Sequence, residues 1–238
     1  VTIEDNPMHI RYFVITIAAI IIAAASCAIA QSLNELPMYG GIKKTSEQKD
    51  ADQDYINTMV KACGSRERGA QEAAKRGWQA VYSGDLSTAM KRFNQAWLLD
   101  DKNAGAYWGF GVVLSMRGQE EQGMSMLKKA YDLAPDNARL IADLAHGYSL
   151  QGRDYLIREN KQDDALLRKA DELFTKASKL EPTYGLLYAN WAVAKYYHRD
   201  YKGAWKKVQR VRELGAERSL DPVIMRSLSK KMADPYKK

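Results

Sequence analysis

Apolar residues recur at helical spacing through residues 70–218, and the pattern itself repeats every 34 residues. The clearest copy runs from Ala104 to Pro135, AGAYWGFGVVLSMRGQEEQGMSMLKKAYDLAP, and predicts two helices joined by a turn at Gly118. Counted from Ala104, small residues fall at positions 8, 20 and 27 (Gly111, Gly123, Ala130), and Leu127 stands at position 24. Position 15 is Gly118 and position 32 is Pro135. One repeat earlier the same slots hold Gly77, Gly84, Ala89, Phe93, Ala96 and Asp101. One repeat later come Ala145 and Gly152, and then, after 13 extra residues, Ala170, Phe174, Ala177 and Pro182. A fourth copy starts at Gly185, with Ala192, Ala204, Val208 and Val211.

Each slot has a physical reason. Small residues let two helices approach, and the large residue at position 24 fills the gap between neighbouring pairs. Glycine at position 15 can take the left-handed backbone that ends a helix. Proline at position 32 has no N–H with which to continue the second helix. A single pair cannot bury its apolar face, so stacking of pairs must supply the core. The extra residues, within Arg153 to Leu167, contain few helix breakers. They are expected to lengthen one or both helices of the third pair, as a solvated protrusion or as one side of a binding face.

The flanks predict caps. Tyr55, Ile56, Met59 and Val60 place an apolar stripe on a helix over Asp50 to Lys61, and Cys63 to Gly69 reads as a charged turn. At the other end Asp221 can cap a helix opened by Pro222, with Val223, Ile224, Leu228 and Met232 on one face. Ala233 to Lys238 is expected to fray. Between Gln31 and Lys49, Pro37, Gly40 and Gly41 mark an extended tether. Its Leu36-Pro-Met-Tyr-Gly-Gly tract is a recognition motif, a linker or a segment lying against the first helix.

Residues 1–30 have a different character. A short basic stretch, Met8 to Arg11, precedes the uncharged apolar run Tyr12 to Ala25, followed by small residues to Ala30. That order describes an export signal. Ala28-Ile29-Ala30 is an A-x-A processing site that would release a soluble protein beginning at Gln31. Ala24-Ala25-Ser26-Cys27 resembles a bacterial lipobox, which would leave Cys27 lipidated and the protein tethered to the outer membrane. Retention as a membrane anchor is the third outcome, since Tyr12 to Ala30 is 19 uncharged residues. Cleavage at Ala30 leaves Cys63 as the one thiol, so no internal disulfide can form and the fold must rest on packing.

The repeat, with Tyr107 and Tyr188 at position 4 of two copies, resembles the tetratricopeptide repeat. Ala73 and Ile141 replace that aromatic in the other copies, and Arg76 stands where a core leucine is usual. The resemblance implies an all-α fold, a right-handed α-solenoid of about four helix pairs spanning residues 70–218. An N-terminal helix within 31–69 and a C-terminal helix within 219–238 would cap it. It implies a concave face that holds peptides or protein segments, without catalysis or cofactor. First-helix positions place Gln71, Trp78, Tyr82, Trp108, Val112, Met116, Arg139, His146 and Leu150 on that face. The fourth copy adds Leu186, Val193, Tyr196 and Tyr197. Such a face is aromatic and apolar, suited to an extended or helical apolar segment. Domains of this family that clamp a C-terminal carboxylate use Lys and Asn at fixed slots. Here those slots hold Ala74, Trp78, Gly109, Arg139 and Asp143, and only Arg139 fits.

Two other functions compete with an exported scaffold serving envelope or pilus assembly. A basic periplasmic enzyme would need catalytic groups. The exported chain offers two histidines, His146 and His198, with no metal-ligand spacing and no phosphate loop. Binding to an anionic surface would draw on the formal charge of +7. Loss of residues 1–30, which hold Arg11, Glu4 and Asp5, raises it to +8. Lys128-Lys129 and Lys206-Lys207 are nevertheless scattered over outer helix faces, and export makes nucleic acid an unsuitable partner. The expected partner is a protein or peptide.

Overall fold

Local signals set the helix ends. The computed structural model describes residues 33–159 and 164–236. Residues 1–30, with the processing positions Cys27 and Ala30, lie outside them. Ten α-helices occupy the described residues. The first, α1 (Ser46–Cys63), opens on a reciprocal capping box between Thr45 and Gln48 and closes on left-handed Gly64. Next come α2 (Arg66–Tyr82), α3 (Leu86–Leu99), α4 (Ala104–Met116) and α5 (Glu120–Leu133). They are followed by α6 (Ala138–Glu159), α7 (Asp164–Leu180), α8 (Gly185–Tyr197), α9 (Tyr201–Glu213) and α10 (Pro222–Lys231). Ser65, Asp85, Asn103, Asp200 and Asp221 each cap the helix that follows by accepting a backbone N–H.

Four antiparallel pairs stack in order: α2 with α3, α4 with α5, α6 with α7, and α8 with α9. The result is an all-α solenoid. Its spacing follows from glycines that leave room for one ring. A Cβ built on Gly77 would lie 2.5 Å from Phe93 Cε1, and one on Gly109 would lie 2.2 Å from the same atom. Phe93 of α3 therefore fills both the groove of its own partner α2 and that of α4 in the next pair. Leu127 repeats the first contact, 2.7 Å from a Cβ built on Gly111. Phe93, Phe110 and Phe174 are fully buried along this spine. The position-4 tyrosines also repeat a contact. Tyr107 Oη donates to the carbonyl of Asp101 at 3.0 Å, and Tyr188 Oη to that of Pro182 at 3.1 Å.

The turn glycine behaves in two ways. Gly84 and Gly118 take the left-handed backbone, with φ of 79° and 76°. Gly152 does not end its helix. It sits inside α6, where a Cβ would lie 2.9 Å from Leu167 Cδ2, and α6 runs on to Glu159. The extra residues of the third pair thus lengthen its helices. The fourth pair makes the same left-handed turn without glycine, at Arg199 (φ 60°).

Both ends differ in detail from the sequence expectation. Arg66 to Gly69 is already helical, part of α2. At the C-terminus, Asp221 accepts from the N–H groups of Val223 and Ile224, but Val223 is exposed while Ile224 and Leu228 are buried. A one-residue step around the helix carries Val223 off the packed face. Asp234 lies in the stretch expected to fray, yet it is held against the stack just after Met232. Trp205 Nε1 donates to the carbonyl of Met232 at 3.1 Å, and Arg212 pairs with Asp234 at 2.7 Å.

The tether is a docked segment. Asn94 of α3 is fully buried, and its amide donates to the carbonyls of Asn34 (2.9 Å) and Leu36 (2.8 Å). Arg117 donates to the carbonyl of Glu35 at 2.9 Å, and Ser87 Oγ donates to the Glu35 carboxylate at 2.6 Å. Met38 and Tyr39 are left-handed without being glycine (φ 53° and 56°). That conformation costs about 1–2 kcal/mol per residue, and it persists because the Tyr39 ring is buried beside Trp97, 6.3 Å between centroids. Among the described residues, no helix is long and apolar enough to cross a membrane.

Candidate peptide-binding face

The first helices of the pairs, α2, α4, α6 and α8, carry the aromatic positions. Helix α4 is nearly all apolar and stands in the middle of the stack. It packs directly on α2, as α6 does on α8, but α4 and α6 approach each other less closely. Two hollows open on this side. The first, about 570 Å³, lies between α2, α4 and the start of α6, and Gln71, Trp78, Tyr82, Trp108 and Arg139 line it. The second, about 270 Å³, lies where α4 and α6 part, lined by Val112, Met116, Leu127, Asp143, His146 and Leu150.

Trp108 joins the two. Its ring centroid is 4.4 Å from that of Trp78, and its Nε1 donates to Asp143 Oδ2 at 2.8 Å. Tyr82 continues the aromatic row, 6.3 Å from Trp78, and is 81 % exposed. Met116 is 55 % exposed on the rim of the second hollow. Large apolar side chains exposed side by side, rather than scattered, mark a surface that meets something.

Burial dominates the electrostatics of the second hollow. It pushes the Asp143 carboxyl up to about 6, against the opposing hydrogen bond from Trp108. It pushes the His146 imidazole down to about 4, with Arg153 adding to the effect. His146 Nδ1 is buried and has no hydrogen-bond partner among the described residues.

Nine of the thirteen groove positions expected from sequence line these hollows: Gln71, Trp78, Tyr82, Trp108 and Arg139 the first, and Val112, Met116, His146 and Leu150 the second. Leu186, Val193, Tyr196 and Tyr197 line neither. The Tyr196 ring lies 5.9 Å from Tyr201 and packs on the C-terminal cluster around Trp205 and Leu228, 5.4 Å from Tyr197. The C-terminal cap covers that end of the stack. Arg139 is not a spare cation, since its guanidinium makes a forked contact with Glu181, with distances of 3.2 and 2.8 Å. Tyr184, lying 5.0 Å from the Arg139 guanidinium, was not among the expected positions. Its phenol is pushed up to about 12 by burial, with Asp143 adding to the effect. Tyr184 lies before the fourth repeat begins, so the periodic pattern gave no sign of it.

Among solved structures, the chain is similar to TTC0263, a thermophilic tetratricopeptide-repeat protein of Thermus thermophilus. The two share 17% identity over 68% of this chain and 80% of that one, with a TM-score of 0.55. MamA matches at 18% identity over 75% of this chain and 99% of its own, with a TM-score of 0.48. The O-GlcNAc transferase of Thermobaculum terrenum matches at 16% identity over 71% of this chain and 27% of its own, also at 0.48. No protein-family model and no curated protein matches the sequence. At this identity the likeness to TTC0263 shows the fold alone: a tetratricopeptide-type solenoid of stacked helix pairs.

Proposed function

We propose that this chain is an exported scaffold or adaptor that holds an apolar protein segment along the face formed by α2, α4 and α6. The observation that carries the reading is the continuous row Tyr82–Trp78–Trp108, which lines the first hollow and is hydrogen-bonded through Trp108 to Asp143 of the second. Aromatic side chains bury large areas at low conformational cost, so such a row supplies anchors for an inserted segment. Arg139 is held by Glu181, so the face has no free cation at that slot to clamp a terminal carboxylate, and an internal segment suits it better.

Export rests on the order of basic, apolar and small residues from Met8 to Ala30, with release at Ala30 or lipidation at Cys27 as the two processed forms. An exported solenoid with one open face suits the assembly of envelope or pilus complexes, as the part that holds one component for another.

Selection of random dodecapeptides on the full chain tests the groove. Peptides that occupy it should lose at least tenfold in affinity against Tyr82→Ala and Met116→Ala. Both side chains are mostly exposed, so helicity and melting temperature should stay unchanged. Selected peptides indifferent to both substitutions would place the binding surface elsewhere. Sequencing the mature N-terminus from cells decides between Gln31, Cys27 and an uncleaved chain.

A further inference from the structure

The second hollow has apolar walls and a carboxylate that nothing cationic answers. Val112, Met116, Leu127, Gly147 and Leu150 form the walls, and Ser115, Asp143 and His146 supply the polar lining. Among the described residues Asp143 has one hydrogen-bond partner, the Trp108 indole N–H on Oδ2, and no lysine or arginine pairs with it. Arg139, one turn earlier on the same helix, is committed to Glu181. Beside the carboxylate, the buried His146 Nδ1 also lacks a partner. An unanswered buried polar atom such as His146 Nδ1 is costly in a folded protein unless a ligand uses it, and the half-buried Asp143 carboxylate opens on the same hollow. The carboxylate presents acceptors alone, and a neutral imidazole nitrogen serves as acceptor in one of its two tautomers, so a donor is the group that answers both.

We infer that this hollow is a specificity subsite for one lysine or arginine side chain of the bound segment, its aliphatic stem along the Val112 and Met116 wall and its charged head on Asp143. The inference rests on the peptide-binding reading of the face. A long cationic side chain matches such a space because its methylenes are apolar and only its tip needs acceptors. The hollow, about 270 Å³, is large enough for it. Specificity follows from the same geometry. An acidic or purely apolar side chain leaves the carboxylate desolvated and unpaired, which a cation corrects.

The dodecapeptides selected on the full chain test this when their groove-directed members, those weakened by Tyr82→Ala, are read for composition. They should share one basic residue flanked by apolar ones. Replacing that residue by norleucine should weaken binding to the wild type at least tenfold, but no more than about twofold to Asp143→Asn. Affinity for the basic peptide should also fall about tenfold from pH 7.5 to pH 5 in the wild type and stay level in Asp143→Asn. Trp108 bonds Asp143 and Tyr184 interacts with it; His146 shares the hollow and feels Arg153, and the Arg139–Glu181 pair lies beyond Tyr184. His146 titrates near 4, Tyr184 near 12, and the Arg139–Glu181 pair holds both its members charged. Tyrosine phenols ionise well above this window. Groove-directed peptides without a basic residue, or an equal loss on norleucine replacement in both proteins, would overturn the subsite and leave the groove standing. Absence of any groove-directed peptide would overturn both.

Discussion

Asp143 and His146 should impose opposite pH dependences on folding stability, and removing either should expose the other. Asp143 titrates near 6 in the folded chain against an ordinary 3.8. The folded state therefore holds this proton to higher pH than the unfolded chain does, and stability falls as pH rises from 3.8 to 6. His146 titrates near 4 against an ordinary 6.5, so the unfolded chain takes up the proton first and stability falls as pH drops from 6.5 to 4. With about 1.4 kcal/mol for every pH unit that separates the folded and unfolded titrations, each effect amounts to about 3 kcal/mol, and over the shared interval they nearly cancel. Asp143→Asn keeps an acceptor for Trp108 Nε1 and removes the charge. Relative to wild type it should gain nothing below pH 4 and about 3 kcal/mol above pH 6. His146→Gln should show the mirror image, a gain that appears only as pH falls below 6.5. Urea unfolding of the three proteins from pH 3.5 to 8 reads the pH-dependent part directly. Two flat difference curves would mean that water reaches the Asp143 carboxylate and the His146 ring freely. The subsite would then lose its dry carboxylate.

Three further substitutions test the packing. Gly109→Ala should cost about 2 kcal/mol by driving a methyl into the Phe93 ring, and Phe93→Leu in the same protein should cost less than it does alone, as a double-mutant cycle in urea would show. Arg199→Gly should raise stability by about 1 kcal/mol and the melting temperature by about 2–4 °C, because it relieves a left-handed non-glycine residue at the turn where two other repeats use glycine. Asn94→Ala should release the segment around Met38 and Tyr39, and hydrogen exchange at those amides should speed up at least tenfold while α4 stays protected. Unchanged protection would show that the Tyr39 ring and the contacts of Arg117 and Ser87 with Glu35 hold the segment without Asn94.

The stacked pairs were legible because each depends on a spacing that recurs. Gly77 and Phe93 stand 16 residues apart, as do Gly111 and Leu127, and the structure makes the same contact at both. What recurred was the type of side chain, and repetition filtered out coincidence. Departures from the period were harder to read. Gly152 carries the turn residue at the right slot, yet the helix runs through it, because without a competing break the residues that follow continue the i→i−4 ladder. Arg199 makes the turn that Gly84 and Gly118 make in the first two repeats. Asn94 appears only once, inside an apolar stripe, and the backbone it serves lies 58 and 60 residues away. Nothing local specifies such a partner.

The same limit separates the aromatic row from the subsite. Trp78, Tyr82 and Trp108 could be placed on one face because their slots belong to the first helices of successive repeats. Asp143 occupies such a slot too, but a lone carboxylate there reads as solvated surface, since charge alone says nothing about how far its neighbours stand apart. Its environment depends on α4 and α6 being less closely packed than the other first helices, which leaves a hollow with Leu127 and Leu150 behind it. That separation is a property of the stack and not of any one repeat. The Trp108 indole, by reaching from α4 to Asp143, ties the anchor row to the charged subsite through one hydrogen bond. A ligand that displaces this indole must disturb both hollows, so substitutions at Trp108 should couple energetically to those at Asp143, whereas substitutions at Tyr82 should not.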